Sequence, residues 1–299
     1  MACLLGMATS ALLPAVALAD PHVLVLGCVS DDPKSDYEQL KPLLDYIVPR
    51  MADVGIREGR VLMARDMQQM GSYLRRGRVD WVTGSVTTGL QLQARARAVP
   101  LLVTERNGLS HDRTVFFARR DSAITSLRDL RGHSIAFRDT ASPGAYFVPA
   151  MQLLQQDMSL QRLLSPMDHA DGRSVGFVIG GSELNVVTWG SLGLVDAGAM
   201  GQARFDDAST TPAAVREGFR VIGTSAAYPL ALEVSRADLD ARVRAKLREL
   251  LVHAAADPDA REALLQFSAT TRFLPIDAAD EATLASLRAG IARVRAEVE

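Results

Sequence analysis

Thr114–Asp139 reads TVFFARRDSAITSLRDLRGHSIAFRD, and its punctuation decides the fold. Thr114–Arg119 is a short apolar run of strand length. Leu127–Leu130 supplies one helical turn, closed by Gly132. Ser134–Arg138 is a second strand. Strand, crossover and strand within so few residues is the unit of an α/β chain, and the flanking sequence repeats it on both sides.

Upstream, Val23–Cys28 is a continuous apolar run, as expected of a strand buried on both faces. Asp36–Met51 is read as a helix with Leu40, Leu43, Leu44 and Ile47 on one side. Gly59–Arg65, Asp80–Gly84 and Pro100–Glu105 are read as strands, and Met67–Arg76 and Val86–Ala98 as helices. Downstream, Tyr146–Gln156 and Glu183–Leu192 are helices, and Gly176–Ile179, Asp196–Met200 and Gly218–Gly223 are strands. Leu239–Ala255, Asp259–Ser268 and Ala279–Val298 form a helical C-terminal run. Alternating units of this size give mostly parallel sheets flanked by helices. No repeat or low-complexity linker interrupts them, so lobes in this chain are joined by more than one crossing.

The first nineteen residues, MACLLGMATSALLPAVALA, carry no charged side chain and end in Ala17-Leu18-Ala19 before Asp20. That pattern is the apolar region and cleavage site of a secretory signal peptide. It places the mature protein outside the cytoplasm, in the periplasm. A positive segment ahead of the apolar run is missing. Of the two cysteines, Cys3 lies in this leader. Cys28 is therefore read as a lone small thiol in a buried first strand rather than a lipid-bearing one.

Lys plus Arg number 33 and Asp plus Glu 35, a net charge of 33 − 35 = −2, which excludes a basic nucleic-acid footprint. No phosphate-loop, dinucleotide or nucleophile-elbow motif is present. The five histidines are scattered without metal-ligand spacing. No cofactor, metal or catalysis is expected. What remains is four strand-to-helix junctions rich in glycine and hydroxyls. These are Gly27–Ser30, Thr83–Gly89, Asp139–Tyr146 and Gly180–Glu183. Free N–H groups at helix starts bind anions, and ligands of open α/β sheets sit at the carboxyl ends of strands. The same residues also serve as ordinary caps and turns. Four in one chain favour a ligand cleft.

The order of these elements resembles a family. Its marks are Asp80–Gly84 before a hydroxyl-rich helix start, the run Arg119–Gly132 (RRDSAITSLRDLRG) leading into Ser134–Asp139, then Val195–Ala199, Ser225–Pro229 and Phe273–Ile276. Together they are similar to the phosphate/phosphite/phosphonate-type class II periplasmic solute-binding proteins of ABC importers, over Val23–Leu287. The resemblance implies two α/β lobes with two crossovers. Lobe one is expected at 20–112 plus 225–299 and lobe two at 113–224, with solute bound between them. It implies a monomer that hands its solute to a membrane permease. A sensor that signals to a membrane histidine kinase is the alternative partner.

The resemblance also names candidate ligand-binding residues: Ser30, Ser85, Thr87, Thr88, Ser142, Gly144, Ala145, Tyr146, Ser182 and Glu183. Departures are local. Where phosphonate binders carry Ser-Thr-Ser-Gly, this chain has Ser142-Pro143-Gly144-Ala145, and Pro143 has no N–H to donate. Ser85 replaces a proline and Thr88 a tyrosine. Glu183 stands where a histidine is common. An acid there either selects a donor-bearing solute over a dianion or points away as a helix-start acid.

Overall fold

Val23–Val29 pairs in parallel with Glu58–Ala64 on one side and with Trp81–Ser85 on the other. The computed structural model describes residues 20–299, so the expected leader Met1–Ala19 lies outside the described residues. Beyond Trp81–Ser85 the sheet changes direction. Ala231–Ser235, from far along the chain, inserts antiparallel between Trp81–Ser85 and Val99–Arg106, and Thr270–Leu274 closes the edge. Sequence patterning gave no strand at Ala231–Ser235, because Glu233 interrupts its apolar run.

A second sheet is built wholly from residues between Thr114 and Thr224. Ala197–Gly201, Ser134–Phe137, Val175–Ile179 and Leu160–Arg162 run parallel as neighbours. Thr114–Arg119 and Phe219–Thr224 complete it antiparallel. The expected two-lobed α/β architecture is therefore present, with one sheet in each lobe. Between the sheets the chain crosses twice. The two crossings, His111–Asp112 and Tyr228–Pro229, pair antiparallel as a short ribbon.

Burial explains the layers. Trp81, Leu24, Leu26, Phe267 and Phe273 meet helices Pro33–Ile47, Ala241–Ala254 and Arg261–Gln266 on one face of the lobe-one sheet. The other face packs Val82, Leu232 and Val234 against Met67–Arg75, Val86–Ala96 and Ala278–Glu297. The last of these helices begins at a capping box of Asp277 and Asp280. It also reaches lobe two. Its Leu284 and Leu287 share one apolar cluster with Phe147 and Val148. Near its end Arg295 donates to Gln91 of lobe one at 2.6 Å and lies 6.0 Å over the Phe147 ring of lobe two.

Cys28 is buried in its strand, with Sγ 3.0 Å from Met63 Sδ. Burial, and then the nearby Asp36 charge, push its thiol up to about 12. It is inert as a nucleophile at neutral pH.

Candidate functional site

Both sheets present the carboxyl ends of their parallel strands toward the ribbon. On lobe one, Ser85 caps helix Val86–Ala96. Its Oγ accepts the Thr88 N–H at 3.2 Å and lies 3.0 Å from the hydroxyls of both Thr87 and Thr88. Thr87 is fully buried and donates across the lobes to the Ala141 carbonyl at 3.1 Å. The second and third junctions therefore touch directly.

The third junction differs from its expected helix Tyr146–Gln156. Pro143–Phe147 is a single wide π turn that leads into helix Val148–Gln155. Two prolines explain the irregularity. Pro143 occupies the first turn, where a missing N–H costs nothing. Pro149 has no N–H for the Ala145 carbonyl four residues back, and that carbonyl accepts instead from Arg138 N–H at 3.2 Å. The Val148 N–H bonds to Pro143 rather than Gly144, which leaves the Gly144 carbonyl to Thr114 Oγ1 at 2.9 Å. Ser142 caps the turn by accepting the Ala145 N–H at 3.2 Å. Gly144 packs so closely on the ribbon that a Cβ would overlap the Tyr228 hydroxyl. The turn is thus wired to both the sheet and the chain crossing.

Tyr146 is carried away from these hydroxyls. It is buried among Phe137, Phe147 and Phe177. Burial, then the Glu299 carboxylate, raise its phenol.

At the fourth junction Ser182 caps helix Glu183–Leu192 through the Asn185 N–H at 3.1 Å. Gly181 turns with φ +76°, a left-handed conformation that favours glycine, and its N–H meets the Arg138 carbonyl at 2.8 Å. Glu183 faces Arg138. Its Oε1 lies 3.5 Å from Arg138 Nη1, while Arg138 Nε also meets Asp139 at 3.0 Å. Glu183 therefore shares one cation with Asp139.

Lobe one adds a polar cluster that patterning did not reveal. Glu233 is fully buried and accepts from Trp81 Nε1 at 2.6 Å, Thr83 Oγ1 at 2.9 Å and Thr104 Oγ1 at 2.6 Å. Burial pushes its carboxyl up, and these donors and the Arg106 charge oppose that rise. Arg106, at the end of Val99–Arg106, reaches across Ala231–Ser235, with Nη2 3.5 Å from Thr83 Oγ1. Burial depresses its guanidinium, and Glu233 counters. Ser30 follows the first strand and is 8% exposed, with its N–H on the Ala64 carbonyl at 2.9 Å. The only sequence signal for this cluster was a glutamate inside an apolar run, which is legible once its strand is known to be central.

Among the described residues no group of three or more His, Cys, Asp or Glu could hold a metal ion. No described helix is long and apolar enough to cross a membrane.

Known proteins match this architecture. The structure of XAC2383 from Xanthomonas citri bound to chloride ion is 46% identical, over 93% of this chain and 100% of that one, with a TM-score of 0.85. The same protein bound to ATP is 45% identical over the same shares, also at 0.85. PhnD1 from Prochlorococcus marinus in complex with methylphosphonate, at 16% identity, covers 92% of this chain and 99% of that one with a TM-score of 0.62, and shows the shared fold. The family model for the periplasmic substrate-binding protein of phosphonate ABC transporters matches residues 26–281. With its two lobes, double crossover and strand-end junctions, the chain belongs to the periplasmic phosphonate substrate-binding protein family of ABC transporters.

Proposed function

We propose that the protein captures a small solute bearing a phosphate- or phosphonate-type oxyanion between its lobes and presents it to an ABC permease. The lobes are taken as 20–112 with 225–299, and 113–224. The supporting observation is the hydroxyl-lined contact between helix starts of opposite lobes, Thr87 on the Ala141 carbonyl at 3.1 Å. A solute seated beside that contact touches both lobes, and its full binding energy is available only when they are closed. Binding rather than turnover is the activity. The leader at Met1–Ala19 exports the chain to the periplasm.

Glu183 bears on solute choice. Arg138 beside it offsets part of its charge, although Arg138 also serves Asp139, so the junction opposes an anionic solute less than an isolated carboxylate would. The ATP recorded in the Xanthomonas citri relative makes nucleoside phosphates a probe alongside inorganic phosphate and methylphosphonate.

The test is native mass spectrometry of protein purified without refolding, followed by calorimetry with those three anions and a panel of cationic and zwitterionic solutes. At least one phosphate- or phosphonate-bearing probe is expected to bind, and Ser142→Ala and Thr87→Val are expected to weaken it. Binding confined to cationic solutes would remove the oxyanion reading.

A further inference from the structure

The Arg106 guanidinium is richer in donors than its surroundings require. Its Nε is buried and has no hydrogen-bond partner among the described residues. Its contact with Thr83, at 3.5 Å, is long for a hydrogen bond. Glu233 accepts from Trp81, Thr83 and Thr104, and no hydrogen bond joins it to Arg106. A buried N–H left unpaired is costly, so an arginine kept in this condition needs another role.

Position suggests the role. Arg106 ends its strand just before the turn into the ribbon, and its side chain spans the neighbouring strand to Thr83. The guanidinium therefore lies at the cleft edge of the lobe-one sheet. Trp81, Cys28 and helix Pro33–Ile47 share one face of that sheet. By the two-residue pleat, Thr83 and Ser30 fall on the same face as Trp81 and Cys28. Ser30 is a second buried group there, and its Oγ also lacks a partner among the described residues. The strand that carries Thr83 is a direct neighbour of the strand that Ser30 follows. An orphaned guanidinium N–H and an orphaned hydroxyl, the latter closing the first junction, thus lie on one face of the lobe-one sheet.

We propose that Arg106 and Ser30 form the lobe-one half of an oxyanion site, with Arg106 gripping a phosphate-type group side-on through Nε and Nη2 and Ser30 donating to the same group. The proposal rests on the oxyanion reading above and deepens it. Side-on pairing is the geometry in which a planar guanidinium matches two oxygens of one phosphate, and lysine cannot reproduce it. Glu233 holds the guanidinium electrostatically without occupying it, and so is a positioning residue.

The test is calorimetry of the full chain against ATP, methylphosphonate and inorganic phosphate. Arg106→Lys keeps the charge beside Glu233 and should leave the thermal midpoint of the unliganded protein nearly unchanged. Arg106→Lys is expected to weaken binding of the anion that the unmutated protein takes by roughly 30-fold, and Ser30→Ala by roughly fivefold. A second readout uses the unmutated protein with 15N-labelled arginine. The Arg106 Nε–H resonance should move on addition of that anion, which a purely structural arginine would not do. If the anion binds, the variants stay within twofold and that resonance stays in place, this site is overturned while the solute-binding reading stands. If the unmutated protein binds none of the three anions, the oxyanion reading itself falls and this site falls with it.

Discussion

The two lobes solve the same architectural problem with different interiors. Among the described residues, the buried acids Asp80, Glu105, Glu233 and Asp280 all belong to lobe one, whereas the buried polar residues between Thr114 and Thr211 are serines and threonines. Asp80 is held by Arg236 Nε at 2.7 Å and the Val25 N–H at 2.8 Å. Glu105 is gripped by Arg272 through two bonds of 2.9 and 2.8 Å. Lobe two has no buried acid among the described residues and packs rings on rings, as lobe one also does at Trp81, Phe267 and Phe273. Phe117 lies 5.0 Å from Phe205 and 4.8 Å from Phe219, and Phe137 stands edge-on to Tyr146 at 5.8 Å. A charge buried with its donors fixes orientation at the expense of desolvation, while an aromatic cluster supplies burial with little directional demand. Lobe one therefore holds positions, and lobe two offers a packed platform for its irregular turn.

The largest effect that separates the two should come from Glu233→Ala. It strands three buried donors and opens a cavity, so urea unfolding should show a loss of about 5 kcal/mol. Phe117→Ala in lobe two should cost about 3–4 kcal/mol through lost burial and cavity alone. If the lobes unfold separately, these losses appear in different transitions. A single shared transition would erase the distinction.

Thr87→Val is a smaller test. It removes the one inter-lobe hydroxyl bond described above, should cost about 1 kcal/mol of closed-state stability, and should therefore weaken solute binding severalfold in calorimetry.

The smallest effects are in pH. Burial raises the Glu233 carboxyl above its usual value of about 4.5, so the folded state holds that proton more tightly than the unfolded chain. As pH falls from neutral toward 4.5, the unmutated protein should gain stability relative to Glu233→Gln. Asp129 of lobe two behaves oppositely. Bonds from Thr125 and then Ser126 hold its carboxyl below the usual 3.8, so its contribution is present above that value and is lost as pH falls through the lowered one. Asp129→Asn should destabilise at pH 7 and be nearly silent near pH 2. Matching slopes for the two variants would contradict this division.

What the sequence revealed follows the same division. Strands such as Val23–Val29 and Ser134–Phe137 are buried on both faces, so their runs are continuously apolar and readable. The caps at Ser85, Ser142 and Ser182 were also readable, because capping is local. Ala231–Ser235 was hidden because the meaning of Glu233 depends on Trp81, Thr83 and Thr104, which are more than a hundred positions away. The π turn was hidden because it arises from two prolines together with partners on other elements, Arg138 and Thr114. Arg106 was hidden for the same reason. Its role is set by the strand it crosses, not by its neighbours in sequence.

The placement of Ala231–Ser235 inside its sheet, between Trp81–Ser85 and Val99–Arg106, also orders events in time. The lobe-two sheet draws only on residues between Thr114 and Thr224, so every strand it needs has emerged before the missing central strand of lobe one appears. Closing lobe one means bridging the whole of lobe two, a long loop whose entropy must be met before its pairing is rewarded. Lobe two can therefore complete its sheet first, and lobe one closes only when the last quarter of the chain returns.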